Sequence, residues 1–247
     1  MNFSDRTRVY FALRGAGRVE PHSVTPDQAA SIDLAHCAPV HQSVAYPHRR
    51  NYDGTWWFAT THTSVTFESL TERDFLLWAD WDPQVVSVYA QPFGFQWPKG
   101  TPGHKVHTPD YAVVLHDRSI RVVDVRPADR VSAHAAEQFD MARAVCAQVG
   151  WAYEVWHGFP DGMEGPLRWL AGFRKDRYRP QPPAQDAILR AFATPTPLAV
   201  GLAAARFGSD RIPEAELRGN VYHLLWTHQL KCDLARPLSN NTEVTAA

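Results

Sequence analysis

Pro109-Asp110-Tyr111-Ala112-Val113-Val114-Leu115, a short polar turn, and Ile120-Arg121-Val122-Val123-Asp124-Val125-Arg126 form the stretch from which the fold is read. Two apolar, β-branched runs flanking a polar turn predict an antiparallel hairpin. Side chains alternate across a strand, so Asp124 and Arg126 should project from one face. Pairing brings Asp110, at the start of the first strand, toward that face. Two carboxylates and a cation at one sheet edge are, in outline, a metal-dependent phosphodiester site. The plainer alternative makes Asp110 a strand-end turn residue and Asp124–Arg126 a surface pair. Val-Val-Asp-Val weighs against it, because an Asp in a buried run is costly unless it is paired or binds a metal.

Upstream, Trp56–Thr61 and Ser64–Phe67 read as strands. Ser69 followed three residues later by Glu72 fits a capping box, and Phe75, Leu76 and Ala79 have the spacing of a buried helical face. That helix should end near Asp82-Pro83. Val85–Tyr89 and Phe93–Trp97 alternate like strands. Downstream, Ala133–Val149 is predicted helical with Gly150 as its C-cap, and Trp151–Trp156 is a further strand. Strand, strand, helix, strand implies a mixed α/β sheet with a helix packed on it. Gly165–Tyr178 is expected to be helical. Pro180–Pro183 reads as a boundary. After it, three short helices (184–193, 197–207, 213–230) and a strand-like tail suit a small winged-helix module. The expected organisation is therefore 1–50 as strands and loops packed on a core, 51–179 as that core, and 180–247 as the helical module with a flexible tail.

Composition narrows the function classes. With 25 basic and 26 acidic residues the net charge is −1, so no global field recruits DNA and any nucleic-acid surface must be local. Three widely spaced cysteines, Cys37, Cys146 and Cys232, argue against a disulfide scaffold and a cysteine zinc cluster. The N-terminus lacks a signal-peptide core and no apolar run would span a bilayer. The expectation is a cytoplasmic protein.

Phosphodiester cleavage needs charge neutralisation at the phosphate and an activated water, and carboxylate-held divalent metals supply both. Glu72, Asp110 and Asp124 are the candidate ligands, with the carbonyl of Val125 as a further oxygen and Arg126 facing the phosphate. His107, beside Asp110, is a candidate auxiliary. His104-x-x-His107-x-x-Asp110 is a competing zinc pattern, and His36 and His41 around Cys37 are weighed as structural. The tryptophans read as core more than as base-stacking platforms. In the C-terminal part, Arg206, Arg211, Arg218 and His223 surround the expected recognition helix and are candidate phosphate contacts. Acids nearby make a protein-docking role comparable.

The set Ser69-x-x-Glu72-x-x-Phe75, Gln91-Pro92, His107-x-Pro109-Asp110 and Val123-Asp124-Val125-Arg126 resembles the PD-(D/E)xK nuclease pattern. More narrowly it resembles the TnsA-like endonuclease subunits of heteromeric transposases, over about 47–156. Leu217–Trp226 and Pro237–Ser239 look like that family's small helical domain. The resemblance implies a restriction-endonuclease-like core and places the catalytic acids on Glu72, Asp110 and Asp124. It also implies Mg²⁺, with Mn²⁺ as a substitute. The implied role is cutting at transposon ends on strands that a partner transposase leaves intact, with an ATPase regulator alongside and no membrane. Gln138, on the helix after Asp124, matches a position where related nucleases hold a metal water or phosphate. Two departures stand out. Arg126 replaces Lys and stays protonated, so it can clamp a phosphate but not act as a base. Asp124 replaces Glu and is one methylene shorter. They admit an alternative, a DNA- or transposase-binding adaptor on a degenerate nuclease fold.

Overall fold

The computed structural model describes residues 6–15, 17–41, 52–100, 106–207 and 212–247. The chain divides into two compact units: Met1–Ala79 with Gln84–Gly158, and Asp80–Pro83 with Phe159–Ala247.

In chain order the first unit contains β1 (Arg8–Arg14), β2 (Val19–Val24), the short helix α1 (Pro26–Ala29) and β3 (Cys37–Ala38). The hairpin β4 (Gly54–Phe58) and β5 (Thr63–Phe67) follows, then α2 (Leu70–Trp81), β6 (Val85–Ala90), β7 (Phe93–Gln96) and β8 (Val106–His107). The unit closes with β9 (Tyr111–Leu115), β10 (Ile120–Val125), α3 (Ala133–Val149) and β11 (Ala152–Trp156). The sequence left the N-terminal strands unordered. They form a sheet in the order β2-β1-β7-β8, with β3 also on β1.

The second sheet has the order β11-β10-β9-β6. β10 pairs antiparallel with β9 and parallel with β11, the mixed sheet expected. Val122 faces Ala112 and Val123 faces Tyr111. One step further along the same register sets Asp124 against Asp110. Alternation then sorts the sheet's two sides. Val122 and Ala112 join Met141, Ala142, Val145 and Cys146 of α3 in one apolar core. Tyr111 and Trp156 instead meet Phe75 of α2, at ring distances of 5.1 and 5.8 Å.

Local chemistry fixes the two helices. Ser132 accepts from the Ala135 amide at 3.2 Å to start α3. Gly150, at φ 87°, takes the left-handed C-cap that side chains resist. In α2, Phe75, Leu76 and Ala79 are buried as their spacing predicted.

The second unit contains α4 (Glu164–Leu170), α5 (Pro182–Ala191), β12 (Thr196–Pro197), α6 (Leu198–Phe207), α7 (Glu214–Trp226), β13 (Leu230–Cys232) and β14 (Glu243–Ala246). The single helix expected over 165–178 is α4 followed by two 3-10 turns, Ala171–Phe173 and Asp176–Tyr178. Gly172, a poor helix former, sits in the first turn. The units divide at Gly158–Phe159. The prolines read as a boundary instead open α5, where their fixed φ suits a helix start. Three helices and a small antiparallel sheet, β12-β14-β13, do form. α7, expected to face DNA, is the unit's packing helix: Leu217, Val221, Leu224 and Leu225 are buried, as are Asn220 and His223. No described helix is long and apolar enough to cross a membrane.

Candidate active site

Asp110 sits at the mouth of β9 and Asp124 near the end of β10. The Val125 amide donates to Asp110 Oδ2 at 2.7 Å, so the second strand's backbone anchors the first strand's carboxylate. The Asp110 carbonyl accepts from the Gln91 amide at 2.9 Å, which ties the same residue to the end of β6. Asp124 is 4% exposed. Its Oδ2 accepts from His107 Nε2 at 2.9 Å and from the Tyr153 hydroxyl in a short bond. His107 comes from the first sheet, where it pairs with Phe95, and Tyr153 from β11. The plainer alternative, a surface pair of Asp124 with Arg126, therefore does not form among the described residues. Neither Asp110 Oδ1 nor Asp124 Oδ1 has a hydrogen-bond partner among the described residues.

Glu72 is the capping residue that the sequence suggested. Its carboxylate accepts from the Ser69 hydroxyl at 2.7 Å and from the Glu68 amide at 2.8 Å, while its own amide donates to Ser69 Oγ. Both oxygens are thus committed to the start of α2. Arg126 follows β10 and is exposed. Its amide donates to the Trp156 carbonyl and its carbonyl accepts from His157 Nδ1. Its guanidinium makes no hydrogen bond or ion pair among the described residues.

Asp110 feels the charge of both other acids. Burial pushes the Asp110 carboxyl well above the usual range, and the charges of Asp124 and Glu72 push it further; the Val125 amide and Arg126 pull it down. Burial also raises Glu72, against the bonds from Glu68 and Ser69. Tyr111, beside Glu72 and Asp110, is raised by burial and by those two charges. This is a site short of positive charge. Among the described residues no three acid, histidine or cysteine side chains form a ready-made metal cage. The donor set still suits a hard cation. Mg²⁺ needs only one or two carboxylates and keeps several waters, and Asp110 and Asp124 face each other with one oxygen apiece uncommitted.

The other expected residues divide. Gln138 is half-buried on α3, beside the Phe139 that packs edge-on to His107 at 6.3 Å. His104, of the competing zinc pattern, and Arg211 lie outside the described residues. His36 pairs with Asp33 at 3.1 Å. Trp97, Trp151 and Trp156 are core, whereas Trp57 and Trp169 are exposed. His223 is corrected most clearly as a phosphate contact. It is 2% exposed, its Nδ1 faces the Phe173 carbonyl at 2.9 Å, and burial lowers its pKa. Arg206 and Arg218 both lie on Glu214, at 3.6 and 3.5 Å. Nothing in the sequence points to Tyr153, because a tyrosine in a strand carries no signal of its partner 29 residues away.

Residues 82–157, under a third of the chain, match the family model described as TnsA-like endonuclease N terminal. The matched span runs from just before β6 to just after β11, and holds His107, Asp110, Asp124, Arg126 and Tyr153. Glu72 lies outside it. No curated protein matches the chain.

Proposed function

We propose that this chain, in which residues 82–157 are a TnsA-like endonuclease N-terminal segment, is the divalent-metal-dependent DNA-cutting subunit of a heteromeric transposase. One observation carries the reading most: Asp110 and Asp124 oppose each other across the β9–β10 pair, and an exposed Arg126 with no acid hydrogen-bonded to it stands beside them. A non-cutting adaptor would sit more naturally on an Asp124 paired off against Arg126, and Asp124 pairs with His107 and Tyr153 instead.

In this reading Asp110, Asp124 and the Val125 carbonyl would hold Mg²⁺, or Mn²⁺ in its place. Glu72 joins them only if its cap bonds open. When bound, the cation supplies charge neutralisation at the phosphate and acidifies water. Arg126 stays protonated and forks onto two phosphate oxygens, which orients the scissile bond and stabilises the charge that builds on it. Gln138 stands on the helix behind the site as an auxiliary polar group. The substrate is DNA at transposon ends, the partner is a transposase subunit, and an ATPase regulator acts with them. The second unit, whose arginines mostly face its own acids, is assigned to protein contacts more than to phosphate.

The test is strand cleavage in a reaction reconstituted with the partner transposase and Mg²⁺. Asp110→Ala should reduce cleavage to background. Arg126→Ala should lower it by roughly 10²–10³-fold, the usual cost of removing one donor at the charge developed in the transition state. Full activity of Asp110→Ala, together with no Mn²⁺ binding by the wild-type chain, would overturn the reading.

A further inference from the structure

Asp124 receives two hydrogen bonds, and both fall on the same oxygen. His107 Nε2 and the Tyr153 hydroxyl converge on Oδ2, one from each of the unit's two larger sheets, while Oδ1 has no partner among the described residues. Each donor is itself braced. The Arg143 guanidinium lies 5.3 Å from the centre of the Tyr153 ring and is held in turn by Asp140. The His107 ring packs between Phe95 and Phe139, at 6.5 and 6.3 Å. A buried carboxylate gripped at one oxygen by two fixed donors cannot swing, so its other oxygen has one direction. Groups that orient a metal-binding carboxylate this way commonly set metal affinity by 10–100-fold.

We infer that Tyr153 and His107 are positioning residues that clamp Asp124 Oδ2 and so present Oδ1, with Asp110, to the cation. The inference rests on the nuclease reading above and adds Tyr153, a residue from the strand beyond the helix, to the working site. It also gives the short Asp124 side chain a reason to be held firmly. An Asp reaches one methylene less far than a Glu, so its orientation has to be fixed by its neighbours.

The experiment is Mn²⁺ binding by the full-length chain, followed by electron paramagnetic resonance or calorimetry without DNA. Tyr153→Phe and His107→Leu should each weaken Mn²⁺ binding by about 10–100-fold. His107→Gln, whose Nε2 can stand near the imidazole Nε2, should recover most of the loss. In the reconstituted reaction the Mn²⁺ concentration for half-maximal cleavage should rise by the same factor, with the KM for DNA unchanged. Thermal unfolding identifies a variant that fails to fold, and His107→Leu against His107→Gln decides the matter if Tyr153→Phe does. Unchanged Mn²⁺ affinity in folded variants overturns the inference while leaving the nuclease reading intact. Tighter binding does the same, since it would mean that the donors compete with the cation. No Mn²⁺ binding by the wild type overturns the inference, and joined to full activity of Asp110→Ala it overturns the nuclease reading as well.

Discussion

The second unit and the Asp110–Asp124 site of the first handle charge in opposite ways. In the second, arginines sit beside acids. Asp80, its side chain fully buried, faces Arg174 at 3.6 Å, and Arg174 Nη1 also donates to the Ala171 carbonyl. Arg168 pairs with Glu164 and Arg179 with Asp176, each at 2.7 Å, and Arg206 and Arg218 share Glu214. In the first unit Asp124 and Glu72 raise the proton affinity of Asp110 at one end of the inner strands β9 and β10, while the arginine that follows β10 is exposed. Pairing of the first kind avoids the penalty of an uncompensated buried charge. Crowding of the second kind costs stability and is retained where a cation or a phosphate is to complete the site. On the function proposed, the contrast separates a region built for stability from one built to bind.

The strongest way to break that contrast is Arg174→Ala. It leaves the Asp80 carboxylate buried beside a missing guanidinium, and removing one partner of such a pair costs roughly 3–5 kcal/mol. Burial already lowers the Arg174 pKa and the Asp80 charge opposes this, so the two are electrically dependent. Chemical denaturation should show the loss in the second unit, reported by the tryptophan fluorescence of that region. Exchanging both members for apolar residues of like volume should cost far less, or nothing. A loss under ~1 kcal/mol for Arg174→Ala would mean that the pair stabilises nothing and that the units do not differ in this respect.

Asp110→Asn tests the other side and should have the opposite sign. The amide oxygen can still accept from Val125, so the change removes chiefly the charge. A carboxyl whose folded pKa is raised adds its stability fully below its unfolded pKa, near 4. That stability is lost as pH rises through the folded value. At neutral pH the wild-type charge therefore opposes folding. Asp110→Asn should raise stability by about 1.4 kcal/mol for every tenfold by which folding has raised the proton affinity. Each kcal/mol corresponds to about 2–4 °C in Tm for a chain of this size. The gain should be visible at pH 8 and vanish toward pH 4. Mn²⁺ should raise the wild-type Tm and leave Asp110→Asn nearly unmoved. Destabilisation of Asp110→Asn at pH 8 would show that the carboxylates are settled without a cation.

The sequence carried the sheet because its signals were local. A β-branched run, a polar turn and a second run specify β9–β10. Ser132 and Gly150 bracket α3, and Ser69 with Glu72 starts α2. Asp110 opposite Asp124 followed from register alone. The pairing of Asp124 did not follow, because His107 and Tyr153 reach it across two sheets from 17 and 29 residues away. Spacing offers Arg126 as a partner only in the plainer alternative, since alternation gives a face but not a partner. The prolines near 182 are ambiguous for a related reason: the same residue ends one element or opens another, and only packing decides which. α7 faces inward because it is buried on most of its circumference, and its His223 finds a carbonyl at the C-terminal side of α4 that no local pattern announces.

The smallest expected effect sharpens the comparison most finely. Arg206 and Glu214 are each more than half exposed and 3.6 Å apart, so solvent screens them. Arg206→Ala should change stability by no more than about 0.5 kcal/mol. Its informative readout is the salt dependence of DNA binding by the assembled complex. A phosphate contact contributes close to one to the slope of log K against log salt. Arg206→Ala should leave that slope unchanged, because the guanidinium already faces Glu214. Arg126→Ala should reduce it by about one, because that guanidinium has no acid bonded to it. A reduced slope for Arg206→Ala and an unchanged one for Arg126→Ala would place the DNA contact on the unit with paired charges, and exposure without a partner would then mark nothing in the first.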